Sequence, residues 1–215
     1  MDRLATQSVG ISRLHFPVTT LGPGRRIGIW FQGCSIHCRG CLSMDTWGPG
    51  EGASVGEVLE RMVHQAESAD VDGITISGGE PFDQPQALEA LLTGIRRSSS
   101  LQHADVFVYS GYTLSVIKRR YARMLDLADA LMTGPFVASR PTSLSWRGSA
   151  NQVLTCLSER ARERFRSPAP GRRVQVSVDG GKVWMIGIPA QGDLDRLESS
   201  AAERGLKLEA VSWRS

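Results

Sequence analysis

The chain has 215 residues, of which 41% are hydrophobic and 22% are charged, a composition typical of a globular protein with one substantial core. Its formal net charge of +3 is small and charges of both signs are interspersed, so we find no basic block of the kind that follows a nucleic-acid backbone. Because no apolar run approaches the roughly 20 residues of a membrane span and the first residues lack the apolar core of a signal peptide, we expect a cytoplasmic protein that binds neither nucleic acid nor membrane.

The first part of the chain predicts strands that alternate with helices. Residues 9–18 alternate loosely between apolar and polar side chains and predict an opening strand. The apolar run over residues 27–31 predicts a buried strand that leads directly into a group of three cysteines. A helix should begin at Ser54, because Ser54 and Glu57 form a capping-box pair in front of apolar residues at helical spacing.

Three further strands are predicted over residues 73–76, 106–109 and 130–132. Asp83 is the expected N-cap of a helix that follows the first of these strands, and helical sequence follows the second as far as about residue 126. Strands that alternate with helices predict a parallel α/β sheet or barrel. Because ligand sites in such folds gather at the carboxyl ends of the strands, we expect the cysteine- and glycine-rich segments after these strands to face one mouth.

The chain after residue 165 predicts a smaller unit. Residues 166–173 are rich in Pro and Arg and predict a linker. Two alternating runs over residues 174–178 and 183–188 flank Asp-Gly-Gly-Lys, which is a hairpin signal in which each strand has one apolar face. A helix over about residues 193–204 and a last strand over residues 206–213 complete this part of the chain.

These elements divide the chain into a predicted core domain over residues 1–167 and a C-terminal extension over residues 168–215. Two interpretations of the extension stay open. Its elements could extend the sheet and bury apolar surface, which the apolar alternation favours. They could instead form a cap or docking surface beside the open side of the core, an interpretation that the Pro-rich linker supports.

The cysteines are the most informative residues of the sequence. Cys34, Cys38 and Cys41 lie within eight residues, whereas Cys156 stands alone, so the pattern does not suit a disulfide framework. Three thiolates at this C-x3-C-x2-C spacing can converge on one soft metal centre. A structural zinc ion would need a fourth ligand, for which His37 is the neighbouring candidate, and a ferredoxin-like carrier would need four thiolates. Three ligands alone are what an open, catalytic iron site requires.

With its other motifs, the chain resembles the radical S-adenosylmethionine (SAM) superfamily. The cysteine motif follows an early strand, and a second strand ending in Gly78-Gly79-Glu80-Pro81 follows about 35 residues later. Within the superfamily the chain resembles the activating enzymes of glycyl-radical proteins, above all those of anaerobic ribonucleotide reductases. Gly40 stands where many superfamily members carry an aromatic residue, as is expected in the activase branch. The matching segments are residues 22–25, 33–34, 40–41, 46–47, 77–81, 109–112, 129, 134–136 and 146–152.

The resemblance implies a partial, open (β/α) barrel with a [4Fe-4S] cluster. Cys34, Cys38 and Cys41 would be its ligands and the core of the catalytic site, and SAM would chelate the iron that no cysteine holds. Glu80 would accept the methionine ammonium, since an anion suits a cation and the glycines beside it let a backbone approach closely. The residues implied in SAM binding are Gly78, Gly79, Glu80, Pro81, Tyr109, Ser110, Gly111, Arg147 and Asn151.

The activity that the resemblance implies is reductive cleavage of SAM to methionine and a 5′-deoxyadenosyl radical. That radical would abstract hydrogen from a backbone glycine of a partner glycyl-radical enzyme. The alternative is a small radical SAM enzyme that modifies a peptide or a small molecule. Either activity would need an electron donor of the flavodoxin or ferredoxin type.

Several of these residues also have simpler interpretations. Glu80 could be a helix-start carboxylate, and Tyr109 and Tyr112 could be ordinary aromatic residues of the core and its rim. Asp129 could cap a strand end, and Arg147 and Asn151 could belong to a surface turn. Cys156 is most simply a partly buried free thiol.

Overall fold

The computed structural model of the chain describes residues 6–166, 174–179, 182–190, 192–209 and 211–212. The strands are β1 Ser8–Val18, β2 Arg26–Phe31, β3 Gly52–Ser54, β4 Gly73–Gly78, β5 Asp105–Ser110, β6 Ala130–Thr133, β7 Val153–Cys156, β8 Val174–Asp179 and β9 Lys182–Gly187. The helices are α1 Val55–Ser68, α2 Pro85–Arg97, α3 Leu114–Arg120, α4 Ala122–Leu125, α5 Glu159–Arg164 and α6 Asp193–Glu203. None of these helices combines the length and the apolar character needed to cross a membrane.

A mixed sheet of seven strands forms the centre of the fold, in the order β3-β1-β2-β4-β5-β6-β7. Strands β2, β4, β5 and β6 are parallel, and β1 and β7 pair antiparallel with the two sides of this group. The predicted parallel α/β sheet is therefore confirmed. Within the described residues no strand joins β3 to β7, so the sheet has two free edges, and its curvature into a partial barrel stays a prediction.

One face of the sheet packs against helices because its side chains alternate. Ile27, Ile29 and Phe31 of β2 belong to the main core with the buried side of α2. Helix α1 begins where the sequence predicts, since the Ser54 hydroxyl accepts from the Glu57 amide and the Glu57 carboxylate accepts from the Ser54 amide. Such a cap is worth about 1 kcal/mol.

Two smaller hydrophobic clusters pack on the other face of the sheet. Phe107 and Met132 pack with Trp146 and with Phe165, which follows α5. Beside them, Trp30 of β2 packs in a separate cluster with Ile186 of β9. The extension thus covers part of the sheet face that lies opposite the helices.

The amino ends of the parallel strands are joined by a buried ion network. Arg26 and Asp105 are both 0% exposed, and Arg26 Nη2 lies 2.6 Å from Asp105 Oδ1. Arg26 also donates through Nε to the Thr75 hydroxyl at 2.7 Å. Arg164 Nε lies 2.8 Å from Asp105 Oδ2, at an angle that does not make a hydrogen bond. Removing one partner of a buried ion pair with this many hydrogen bonds strongly destabilises a protein, because the other charge is left uncompensated.

The extension contains a hairpin and a helix at the predicted positions, but β8 does not bury its valines. The register sets Val176 opposite Met185 and Val178 opposite Val183, and Val176 and Val178 are 56% and 70% exposed. Ile186 is buried on the opposite side of the hairpin, where the facing residue of β8 is Gln175. Each strand has one apolar face, as the alternation predicts, but the two apolar faces lie on opposite sides of the hairpin and that of β8 is exposed.

The predicted last strand is wrong over the residues that the structure describes. Residues 206–209, 211 and 212 form no strand. Their hydrogen bonds do not meet a sheet edge, because the Ser212 hydroxyl donates to the Leu42 carbonyl at 2.8 Å and the Met44 amide donates to the Ser212 carbonyl. Residues 167–173, 180–181, 210 and 213 of the predicted linker, turn and strand lie outside the described part of the chain, and the division at residue 167 stays a prediction.

Candidate functional site

Four loops meet at the carboxyl ends of the parallel strands. Phe31 at the end of β2 pairs with Gly78 at the end of β4, and Ser110 at the end of β5 pairs with Thr133 at the end of β6. The cysteine loop, the Gly-Gly-Glu-Pro segment, residues 110–112 and the loop after Thr133 therefore begin at the same edge of the sheet. This is the edge at which ligand sites of parallel α/β folds form.

The cysteine loop is fastened at both of its ends. The Gly33 amide donates to the Thr46 carbonyl at 2.8 Å, and the Cys34 amide donates to the Trp47 carbonyl at 3.2 Å. The His37 ring stacks on Trp47 with centroids 4.5 Å apart, so this histidine is held against an aromatic ring. The sequence motif thus forms a loop whose backbone is fixed by its own flanks.

The three thiols of this loop suit a shared metal centre. All three cysteines are free and partly exposed. Burial raises the pKa of the Cys34 and Cys38 thiols, and repulsion from the negative charges of Cys41 and Cys34 raises the pKa of Cys38 further. A cationic metal cluster relieves such repulsion, and a ligand must be deprotonated to bind it.

Two further observations bear on the ligand set. Within the described residues no three His, Cys, Asp or Glu side chains converge on the position of a single metal ion; a four-iron cluster distributes its ligands over separate irons. Cys156 pairs with Ala130, the first residue of β6, whereas the site begins after Thr133, the last. Cys156 therefore lies towards the opposite edge of the sheet, and the donors at the carboxyl edge fit a cluster with one open iron.

Glu80 lies between the cysteine loop and β5, and it is only 1% exposed. Its carboxylate accepts from the Phe82 amide at 3.0 Å, the Ser110 hydroxyl at 2.9 Å and the Gly111 amide at 2.7 Å. Burial raises the pKa of Glu80 to about 7, although these donors oppose the shift. The structure bears out the interpretation of Glu80 as a helix-start carboxylate, because it caps the 3-10 helix Pro81–Asp83; its contact with SAM stays a prediction.

The two glycines before Glu80 allow a close backbone approach. Gly78 has φ +104, and a Cβ on Gly79 would overlap the Gly33 carbonyl. The Glu80 amide donates to that same carbonyl at 2.8 Å. The glycines therefore bring β4 against the cysteine loop, and Pro81 starts the 3-10 helix from a buried position.

Asp83 does not cap α2, so that prediction is wrong. The N-cap of α2 is Gln84, which makes no capping bond with its side chain. The Asp83 carboxylate instead accepts from the Ser35 amide at 2.7 Å, the Ser35 hydroxyl at 3.0 Å and the Tyr112 hydroxyl at 2.7 Å. Contacts with distant residues outweigh the local capping preference, and Asp83 supports the residue next to Cys34. The sequence analysis did not identify this role of Asp83. The one sequence signal for it is that Asp83 lies two residues after Pro81.

The segment at the end of β5 has a mainly structural arrangement. The Tyr109 hydroxyl donates to the Trp146 carbonyl at 3.0 Å, and burial raises the pKa of Tyr109 far above its ordinary value, so Tyr109 is a core aromatic residue. Ser110 and Gly111 bond to Glu80 as described. A Cβ on Gly111 would meet the side chain of Ile36, so this glycine allows the segment to approach the cysteine loop.

Asn151 holds the segment before β7 against the loop after Thr133. Its Nδ2 donates to the Pro135 carbonyl at 2.7 Å, but its Oδ1 is buried and has no hydrogen-bond donor among the described residues. Neighbouring Arg147 is partly exposed and forms no ion pair within the described part of the chain. The Asn151 Oδ1 acceptor and the Arg147 cation are thus unmatched among the described residues, and their contact with SAM stays a prediction.

Asp129 lies at the amino ends of the parallel strands, directly before the first residue of β6. Its carboxylate bonds Arg96 Nη2 at 2.6 Å, the Val106 amide at 2.8 Å and the Ser158 hydroxyl at 2.6 Å. Burial opposes ionisation, but the bonds from Ser158, Arg96 and Val106 outweigh it and lower the pKa of Asp129. Asp129 is thus the strand-end cap of the simpler interpretation.

The chain is similar in sequence to known proteins. Residues 20–155 match the family described as the 4Fe-4S single cluster domain. The anaerobic ribonucleoside-triphosphate reductase-activating protein of Haemophilus influenzae is 30% identical over 146 residues, which cover 65% of this chain and 94% of that protein. Its counterpart in Escherichia coli K12 is 31% identical over the same shares of the two chains.

One solved structure, QueE from Escherichia coli, covers 49% of this chain and 54% of its own at 18% identity, with a TM-score of 0.39, a likeness too small to support an argument. Because the domain match covers more than half of the chain and the chain spans nearly all of these relatives, the protein belongs to the family of the anaerobic ribonucleoside-triphosphate reductase-activating proteins and carries the 4Fe-4S single cluster domain.

Proposed function

We propose that this protein uses a [4Fe-4S] cluster on Cys34, Cys38 and Cys41 to cleave SAM and to generate a glycyl radical on a partner anaerobic ribonucleotide reductase. The observation that carries the proposal is the position of the three thiols at the carboxyl edge, with Cys156 towards the opposite edge. When bound, the cluster supplies one electron that breaks the S–C5′ bond of SAM, giving methionine and a 5′-deoxyadenosyl radical that removes hydrogen from glycine.

The chain's own contribution to this chemistry begins with a preorganised cysteine loop. Gly33 and Cys34 are bonded to residues 46–47, and Ser35 is bonded to Asp83. Supporting hydrogen bonds of this kind orient metal ligands and typically change metal affinity 10–100-fold when they are removed. We infer that the loop holds its thiols in place before the cluster binds.

SAM would bind between the Gly-Gly-Glu-Pro segment and the loop before β7. Three donors occupy the Glu80 carboxylate, and a carboxylate has about four acceptor positions, so one remains for the methionine ammonium. Asn151 Oδ1 offers a buried acceptor that needs a donor. Arg147 would suit the methionine carboxylate. The remaining predicted contacts, at Gly78, Gly79, Pro81 and residues 109–111, would act by shaping this cleft.

A reductase is the better candidate target because this chain spans nearly the full length of the activating proteins of such enzymes. No specific observation favours a peptide or a small molecule instead. Since thiolate ligands must stay reduced, we further propose that the protein works in the cytoplasm. The electron would come from a flavodoxin- or ferredoxin-type donor.

The test is glycyl-radical formation on the cognate reductase. The reconstituted protein, SAM, dithionite and the reductase should give an organic radical signal in electron paramagnetic resonance, together with 5′-deoxyadenosine. Cys38→Ala should give neither product. Formation of 5′-deoxyadenosine without a radical on the reductase would refute the reductase as the target. Absence of both products from a cluster-loaded protein would refute the SAM chemistry itself.

A further inference from the structure

A basic patch lies where α3 meets α4. Its cations are Lys118, Arg119, Arg120 and Arg123, four of the six residues from 118 to 123. All four are exposed, and none of their side chains forms an ion pair or hydrogen bond within the described part of the chain. Elsewhere several surface arginines are paired, as Arg162 is with Glu159 at 2.8 Å. Unpaired cations at this density create a positive potential that attracts acidic surfaces.

The patch has a concave centre. Arg119, Arg120 and Arg123 line a cavity of about 440 Å³ together with the first turn of α2. Glu89 is the acidic residue among those lining it, so cations outnumber anions there by three to one. A concave surface of one dominant sign focuses the field and speeds the encounter with a partner of the opposite sign.

Contacts lead from this patch to the cysteine loop. The Tyr121 ring, within the basic run, packs on the Phe82 ring with centroids 5.2 Å apart. Phe82 precedes Asp83, and the Asp83 carboxylate bonds to Ser35, the neighbour of Cys34. Phe82 and Asp83 thus connect the patch to the cysteine loop through direct contacts. The patch lies on the helical layer of the fold, whereas the four site loops leave the end of the sheet.

We propose that this patch is the docking surface for an acidic one-electron carrier protein of the flavodoxin or ferredoxin type. The inference rests on the proposed function, because the cluster must gain one electron before SAM is cleaved. The carrier loses that electron and the cluster gains it, so the exchange balances. A glycine target has to reach the open iron from the mouth, and a carrier on the helical layer leaves the mouth free. The interfaces between electron-transfer proteins bury little surface, and complementary charge raises the rate at which the two proteins associate.

The experiment compares two sources of the electron. The full chain with Arg119, Arg120 and Arg123 all changed to Glu is reconstituted, and 5′-deoxyadenosine formation is measured with dithionite and with an acidic flavodoxin reduced by its NADPH-dependent reductase. Because attraction between opposite charges raises the rate at which flavodoxin and this protein associate, the flavodoxin-driven rate of the variant should be about tenfold or more lower at low salt. The dithionite-driven rate should stay within about twofold, since steering of a small reductant does not need the patch.

Two controls make the result specific. A variant with Arg61, Arg162 and Arg204 changed to Glu carries the same change of net charge outside the patch and should keep the flavodoxin-driven rate. The variant with Arg119, Arg120 and Arg123 changed to Gln should lose part of that rate, which keeps the test usable if the Glu variant does not fold. Raising the salt from about 50 to 500 mM should slow the original protein and have little effect on the Glu variant.

Three outcomes would overturn the inference. Equal flavodoxin-driven rates in the original protein and the patch variants would remove the patch as the docking surface. A variant that accepts flavodoxin normally but yields less glycyl radical under dithionite would show that the patch binds the reductase instead. Failure of the original protein with dithionite as well would refute the proposed function, and the docking inference with it.

Discussion

The two ends of the parallel sheet differ in whether polar groups are left without a partner. At the amino end, Arg26, Asp105 and Asp129 are buried and bonded to several partners each. At the carboxyl end, three free thiols are partly exposed, and Asn151 Oδ1 has no donor among the described residues. Groups that are fully bonded contribute stability, whereas unmatched groups beside a cleft are available to a ligand. The amino end therefore contributes mainly to stability, and the carboxyl end holds the groups available for chemistry.

The largest effect on stability is expected at the amino end. Arg26→Ala should lower the free energy of unfolding by about 3–5 kcal/mol, because it leaves the Asp105 charge buried with a single remaining cation, Arg164. Urea denaturation of the cluster-free protein measures this. Arg162→Ala, which removes an exposed pair, should change stability by about 0.5 kcal/mol or less. Equal effects of the two substitutions would contradict the role given to the amino end.

Glu80→Gln tests the buried carboxylate at the other end. The variant should bind the cluster normally but bind SAM more weakly by about 1.5–3 kcal/mol, because the ammonium loses a charged acceptor. Equilibrium binding of SAM to the reconstituted proteins measures the difference. An unchanged affinity would remove Glu80 from the SAM site and leave it the purely structural role that its three bonds describe.

The same variant predicts a pH dependence. The pKa of Glu80 is raised to about 7 in the folded protein, so between its ordinary value and 7 the folded state binds more protons than the unfolded state. The contribution of Glu80 to stability is therefore present at low pH and is lost as pH rises through about 7. Relative to Glu80→Gln, the original protein should lose stability between about pH 5 and pH 8. A difference that is flat over this range would refute the raised pKa.

Asp83→Ala tests the support of the cysteine loop. It removes the acceptor of two bonds from Ser35 and one from Tyr112, so the cluster should still assemble but should be lost about tenfold faster to a chelator. Tyr112→Phe removes only one of these bonds and should have a smaller effect. If Asp83→Ala loses iron at the original rate, Asp83 does not position the ligands.

The smallest effect is expected at the cap of α1. Ser54→Ala should lower the free energy of unfolding by about 1 kcal/mol and leave cluster content and SAM cleavage unchanged, because the cap lies on a helix that carries none of the proposed ligands. Thermal or urea unfolding measures the free energy of unfolding, and iron analysis measures the cluster content. A loss of the cluster in this variant would show that the cap of α1 affects the cysteine site as well as the stability of the fold.

Sequence reasoning succeeded where the signal was local. The apolar run of β2 and the capping pair of α1 each depend on neighbouring residues, and both are found where the sequence predicts them. The short edge strands β3 and β7 were not anticipated, since a strand of three or four residues gains its stability from its partner rather than from its own sequence. The outward valines of β8 depend on a register that the alternation alone does not determine.

The candidate site shows the same division. The cysteines and the Gly-Gly-Glu-Pro segment could be found by spacing, whereas Asp83 binds residues 29 and 48 positions away and was assigned a local cap instead. The basic patch at residues 118–123 is nearly continuous in sequence, but its lack of ion pairs within the described residues and its cavity against α2 depend on where distant residues lie. Distances of this kind are set by tertiary packing, which a single sequence does not display.

The central claim is an open cluster held by three cysteines at the carboxyl edge, and iron analysis tests it most directly. After anaerobic reconstitution, the original protein and Cys156→Ala should each contain about four irons and four sulfides per chain, since three thiolates can hold one cubane. Cys34→Ala, Cys38→Ala and Cys41→Ala should each contain none. Loss of the cluster in Cys156→Ala, or its retention in any of the other three variants, would contradict the claim.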